Sequence, residues 1–160
     1  MLVRQRGGLR GRRRDRPLER GARVIILRGR RVAPGRAEGE ALVTRDTISG
    51  WGGMDPRNGT IIERRHEFAG QSFAGKVLVF PGAKGSSAWS HYFHLARLAG
   101  KAPRALLFNR MTTKVALGAV VLRVPAMTEL DKDPLSVIET GDHVTVDADA
   151  RIVEVRKRGA

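Results

Sequence analysis

The stretch Lys76-Val-Leu-Val-Phe-Pro-Gly-Ala-Lys-Gly-Ser-Ser-Ala-Trp-Ser90 constrains the fold more than any other part of the 160-residue chain. Residues 77–80 form a short apolar run of β-favouring side chains, and Pro81, Gly82 and Gly85 interrupt it before two adjacent hydroxyls, Ser86 and Ser87. Beyond them Trp89, Phe93 and Ala96 recur three and four apart, with Tyr92, Leu95 and Leu98 alongside, until Gly100 and Pro103 end the pattern. A second apolar run follows at 105–108. Strand, helix and strand at this spacing demand a parallel, right-handed crossover. Such units carry their functional groups beyond the carboxyl ends of the strands, where Gly82 to Ser87 and Asn109 fall.

Elsewhere the pattern predicts a strand at 24–27, a turn and loop over 28–35 and a second strand over 39–44. Glycines at 50, 52 and 53 make 46–53 an irregular loop, expected to be pinned by Trp51, and Asn58-Gly59 marks a surface reversal before Thr60-Ile-Ile62. The β-branched run 113–124 favours strand by composition, yet Val115, Gly118, Ala119 and Leu122 follow helical spacing, which predicts a short helix. Asp133-Pro134 opens a helical turn closed by Gly141, and 143–147 with 152–155 alternate as a terminal hairpin. Together these give a mixed α/β fold around one core, in keeping with 41% apolar residues.

The formal charge of +14 is concentrated at one end. Residues 1–31 hold 12 arginines against Asp15 and Glu19, leaving about +4 for the remaining chain. Residues 1–21 are expected to be a solvated extension or an overlong start to the reading frame, with 22–160 forming the domain. Arginines can neutralise phosphates, so nucleic-acid binding through this tail is the alternative of another class. It is disfavoured because no aromatics interleave the arginines to stack on bases. The tail has neither an apolar signal core nor serine, and no stretch is long and apolar enough to span a bilayer, so a cytoplasmic protein is expected. The absence of cysteine excludes disulfides and thiolate ligation by this chain.

Three constellations carry chemical interest. At the Gly85-Ser86-Ser87 corner, helix capping is the better reading of the pattern alone, while Lys84 and the paired hydroxyls add the features of an anion site. Gly82-Ala-Lys-Gly-Ser is not a nucleotide P-loop, since its lysine precedes the second glycine, and Ser86 does not lie in a G-x-S-x-G elbow. In Trp51-Gly-Gly-Met-Asp-Pro56, Asp55 reads as a turn starter and Trp51 as a plug for the core. His91 and His94 are three apart on the predicted helix, but without acidic or thiol neighbours at ligand spacing they read as surface histidines. His66 and His143 stand alone, and no metal is assigned to this chain.

Several ordered motifs between about Gly29 and Asp147 resemble the small subunit, or swivel domain, of the aconitase X family of dehydratases. They are Gly35-x-Ala-Glu-Gly-Glu-Ala-Leu42, Ser49-Gly-Trp-Gly-Gly-Met-Asp-Pro56 with Gly59-x-Ile-Ile62 and His66, and Gly75-Lys-Val-Leu-Val-Phe-Pro-Gly-x-x-Gly-Ser-Ser87. Leu117-Gly-Ala-Val120, Val124-Pro125 and Thr140-Gly-Asp142 fit as well. The resemblance implies a swivelling β/β/α domain that closes over a larger, cysteine-bearing, aconitase-like subunit holding an iron or iron–sulfur centre. It also implies dehydration of a small hydroxy acid, with cis-3-hydroxy-L-proline and mevalonate 5-phosphate among the family's substrates.

By the same resemblance Ser86 is the proton acceptor. Gly85, Ser87 and Lys84 are expected around the substrate anion, and neither chain is expected to be active alone. Many relatives carry an acidic residue and a proline where this chain reads Asn109-Arg-Met-Thr-Thr-Lys114. That departure makes Thr112, Thr113 and above all Lys114 candidates for substrate selection. Few cations lie near the motif in sequence, which favours cis-3-hydroxy-L-proline over a phosphorylated substrate.

Overall fold

The computed structural model describes residues 23–159, so the arginine-rich stretch 1–21 lies outside the described residues. The crossover forms as the spacing requires. β7 (Val77–Phe80) pairs in parallel with β9 (Ala105–Phe108), and α1 (Trp89–Leu98) connects them. α2 (Thr113–Leu122) leads from β9 to β10 (Ala126–Thr128), which joins β9 in parallel, while β3 (Arg36–Val43) joins β7 in parallel on the other side. The carboxyl ends of β3, β7, β9 and β10 therefore open in one direction.

The remaining strands are antiparallel. β11 (His143–Asp147) and β12 (Ile152–Arg156) form the expected hairpin, β11 lies along β3, and β1 (Val24–Arg28) lies along β12. Residues 30–33, expected to be turn and loop, instead form β2 (Arg30–Ala33), paired antiparallel with β10. The correction has a structural cause: β10 is short and all buried, and the arginine-rich segment supplies its missing hydrogen-bonding neighbour.

Because Gly29 alone separates β1 from β2, the two end strands of the order β1-β12-β11-β3-β7-β9-β10-β2 are one chain segment, and the sheet curls back on itself there. A side chain at Gly29 would meet Leu130 Cδ2 at 2.6 Å and Thr128 O at 2.8 Å, so the closure accepts only glycine.

Strand alternation separates two cores. Leu27, Ala41, Val77, Val79, Ala105, Leu107, Met127, Val144, Val146, Val153 and Val155 pack inside the curled sheet. Leu78, Phe80, Leu106 and Phe108 point the other way, against Trp89, Phe93, Val115, Ala119 and Leu122 of the two helices. The buried positions of α2 are Val115, Gly118, Ala119 and Leu122, the helical spacing that outweighed its β-branched composition. Two short strand pairs complete the helical side: β4 (Ile48–Ser49) pairs in parallel with β8 (Ala83–Lys84), and β5 (Met54–Asp55) forms a hairpin with β6 (Thr60–Ile61). A last turn, α3 (Pro134–Val137), is capped by Asp133, whose carboxylate accepts the Leu135 N–H at 3.0 Å.

Candidate active site

The corner forms where β7 ends. Pro81 and Gly82 stop the strand, and Ala83 and Lys84 form β8 beside β4 instead of part of a tight turn. Gly85, with φ of +89°, then swings the chain toward α1, a conformation that side chains resist. Ser86 and Ser87 are exposed.

Neither serine is the helix cap. Ala88 holds the N-cap position and supplies no side-chain bond. Ser86 Oγ instead accepts the Ala88 N–H at 3.3 Å, while Trp89 N–H reaches the Ser86 carbonyl at 3.3 Å. After the β8 excursion Ser87 falls one residue, and Ser86 two residues, before the cap position that Ala88 holds. Ser86 Oγ thus faces a backbone donor at the positive end of α1, a setting that favours negative charge on the oxygen.

Distant segments converge on the same corner. The Lys114 ammonium, from the first turn of α2, donates to the Gly85 carbonyl. Arg110 N–H donates to Pro81 O at 2.9 Å, and its Cβ packs over Gly82, leaving the residue exposed beside the corner. Lys84, expected among the anion-binding groups, is held by Glu63 at 2.6 Å. Thr112 caps α2 through a 3.4 Å bond from Val115 N–H, and Asn109 donates to Asp133 at 3.1 Å, so both already have partners within the fold. Burial alone would raise the Asp133 pKa, but the Leu135 N–H, the Asn109 amide and the Ser136 hydroxyl hold it below the ordinary aspartate value.

Arg110 was missed in the sequence because its relevance depends on Gly82 having no side chain, a contact between residues 28 positions apart. Its only linear signal was membership of the loop where the family pattern departs.

Beneath the corner lies Trp89, fully buried. Its indole N–H donates to Ile48 O at 3.0 Å, and its ring stacks on Phe80 at 6.1 Å between centroids and packs on Phe93 at 4.3 Å. Gly118 of α2 lies so close that a methyl there would overlap the Trp89 ring. Trp51, expected to plug the core, is 72% exposed. The interior holds Trp89 and Phe73, both fully buried, while Trp51 faces outward from the 50–53 turn.

A recess of about 740 Å³ lies between α1 and the β5–β6 hairpin, lined mainly by Met54, Ile62, Tyr92, Leu95 and Leu98 with Asp55 and Arg57 at the hairpin. It is apolar, and Ser86 is not among its lining residues. The open Ser86 corner differs from this recess in bringing together a hydroxyl, a backbone donor and cations.

No three His, Cys, Asp or Glu side chains come together as a metal-ligand set among the described residues. His94 lies 3.4 Å from the Arg97 guanidinium, His143 is 3.5 Å from Glu38, and His66 Nδ1 accepts the Phe68 N–H at 3.0 Å. The described residues therefore do not fit an iron centre.

The relationship to known proteins follows the same residues. A family model for the aconitase X swivel domain matches residues 26–155. The phosphomevalonate dehydratase small subunit of Methanocella arvoryzae is 41% identical over 129 residues, covering 81% of this chain and 98% of that protein. The Methanosarcina mazei protein of the same name is 39% identical over 135 residues, covering 84% and 94%. The crystal structure of Thermococcus kodakaraensis aconitase X in its holo-form superposes with a TM-score of 0.78 at 38% identity, covering 83% of this chain and 99% of that one. With a family model matched over residues 26–155 and likeness in sequence and fold over nearly the whole domain, the chain belongs to the aconitase X swivel-domain family.

Proposed function

We propose that this chain is the small subunit of a heteromeric hydro-lyase that dehydrates mevalonate 5-phosphate, with Ser86 as the proton acceptor. The observation that carries the reading is its similarity, along almost their full length, to relatives named phosphomevalonate dehydratase small subunits. The sequence favoured cis-3-hydroxy-L-proline because few cations lay near the serine motif. Folding weakens that ground, since Arg110 and Lys114 arrive at the corner from another loop and supply positive charge for a phosphorylated acid.

Mevalonate 5-phosphate is a β-hydroxy acid, so its dehydration removes a proton from the carbon between the carboxylate and the hydroxyl-bearing carbon. The C–H electron pair becomes the new C=C bond, the C–O bond breaks so that the hydroxyl leaves as hydroxide, and the proton is taken by the Ser86 alkoxide, so that proton and hydroxide together make up the water lost. Serine is a weak base unless its alkoxide is stabilised, and the Ala88 N–H at the start of α1 supports this role. Gly85 turns the backbone so that Ser86 and Ser87 face the opening, while Lys114 and Arg110 attract the substrate anion. Lys84, paired with Glu63, contributes mainly by fixing β8. In this reading help for the departing hydroxyl comes from the larger subunit, where cysteines and an iron centre are expected.

The test is Ser86→Ala in the assembled enzyme. General-base removal is expected to lower kcat by about 10²- to 10⁴-fold, with KM and subunit assembly little changed. Turnover retained within threefold would remove Ser86 from the mechanism. Efficient dehydration of cis-3-hydroxy-L-proline, with none of mevalonate 5-phosphate, would reverse the substrate assignment.

A further inference from the structure

Trp51 is an unusual residue to leave in water, and its loop is not free to withdraw it. Gly53 and Met54 N–H groups both donate to Gly50 O, at 3.1 and 3.2 Å, and Ser49 Oγ donates to Trp51 O at 3.2 Å. Ile62 N–H donates to Gly53 O at 2.9 Å. Gly50 presses on α1 so closely that a methyl there would lie 2.8 Å from Trp89 Cα. The turn is therefore a fixed mount that presents an indole outward.

A second exposed apolar stretch lies on α2, where Leu117 and Val120, spaced three apart, are 49% and 60% exposed. Both features adjoin the serine corner. Ser49 approaches Gly85 from the Trp51 side, 3.1 Å from where a side chain would begin, and Lys114, one turn before Leu117, holds the Gly85 carbonyl. Trp89 lies beneath both, touching Gly50 and Gly118. Three exposed apolar side chains thus flank one exposed polar corner.

We propose that Trp51, with Leu117 and Val120, forms the seat through which this chain docks on the large subunit of the dehydratase, sealing the Ser86 corner between the two chains. The proposal rests on the functional reading above. Ser86 is exposed, and among the described residues its neighbours offer cations and amides but no metal-ligand set to assist a departing hydroxyl. A second chain must close over this corner, and one approaching Ser86 meets the indole and the α2 face at its rim. A second copy of this chain would bring two serine corners together without completing either. Exposed aromatic anchors with an apolar surround supply both affinity and exclusion of water at such contacts.

The experiment titrates the small subunit into the purified large subunit of the same source. It reads activity, and also the ¹⁹F NMR spectrum of small subunit labelled with 5-fluorotryptophan at its two tryptophans. Trp51→Ala is expected to raise the subunit Kd by about 30-fold or more, with activity recovered at excess small subunit. In the labelled wild type, the resonance that disappears in Trp51→Phe should shift and broaden on assembly.

A Kd change below threefold, or an unmoved Trp51 resonance while activity is reconstituted, would overturn the proposal. So would a Trp51 resonance that moves with the concentration of the small subunit alone, which would assign the surface to a second copy. Circular dichroism separates either result from misfolding. Assembly through Trp51 without dehydration of mevalonate 5-phosphate would sink the functional reading and leave the docking surface standing.

Discussion

Trp89 and Trp51 lie on neighbouring segments, yet their surroundings differ in kind. Trp89 is fully buried, hydrogen-bonded to Ile48 O, packed on two phenylalanines and covered by Gly118. Trp51 is mostly exposed and held only through its backbone. The first joins α1, α2 and the β4 loop into one body, and the second projects from that body. The difference teaches that the rigidity of the serine corner comes from below it, while what surrounds it above is left to another molecule.

The largest test of the contrast is Gly118→Val, which forces a branched side chain into the space of the Trp89 ring. It should destabilise the isolated chain by about 3 kcal/mol, measured by urea unfolding, and distort the corner as well. A loss below about 1 kcal/mol would mean that Trp89 can move aside and is no hub.

An intermediate effect is expected from acid, because the Trp89 hub contains no ionisable group whereas Asp142 forms a buried ionic knot. Burial by itself would raise the Asp142 pKa. The Lys157 ammonium at 2.6 Å and the N–H groups of Arg158 and Glu139, both at 2.8 Å, nevertheless hold it below the ordinary value. A carboxyl with a lowered folded pKa contributes stability that is complete above its unfolded pKa, about 4, and is lost as pH falls through the folded value. Stability should therefore decline below about pH 4. Asp142→Asn should lose about 2 kcal/mol at pH 7 and show a shallower acid decline. An unaltered acid profile in that variant would assign the acid limit to Glu67, lowered chiefly by the Thr44 hydroxyl, or to Asp133.

The smallest effect belongs to Trp51→Ala in the isolated chain, whose unfolding free energy should stay within about 0.5 kcal/mol of wild type. A loss of 2 kcal/mol or more would show that the indole supports its own fold, and the contrast between the two tryptophans would collapse.

Much of the architecture was legible because it follows local periodicity. The 77–80 and 105–108 strands, the helical spacing of Val115, Gly118, Ala119 and Leu122, and the terminal hairpin each declare themselves within a few residues. What stayed hidden depended on partners far along the chain. β2 is a strand because β10 needs a neighbour, and no pattern in Arg30-Arg-Val-Ala33 announces it. Trp51 seemed destined for the core by its size, but composition does not say which of two tryptophans wins one interior site. At the corner, the serines, Lys84 and Lys114 were all legible as candidates, whereas the early β8 excursion that displaces the serines from the cap, and the arrival of Arg110, exist only in three dimensions.

The joint at Gly29 has a consequence for how the chain is made. Its flanking segment pairs through β1 with β12, as in Val24 with Arg156, and through β2 with β10. β1 leaves the ribosome well before β12 and must wait for it before the sheet can close, which favours a high contact order and a late folding step. Until then β1 and β2 are open edges, and their arginines, Arg28, Arg30 and Arg31, discourage pairing with other chains during the wait.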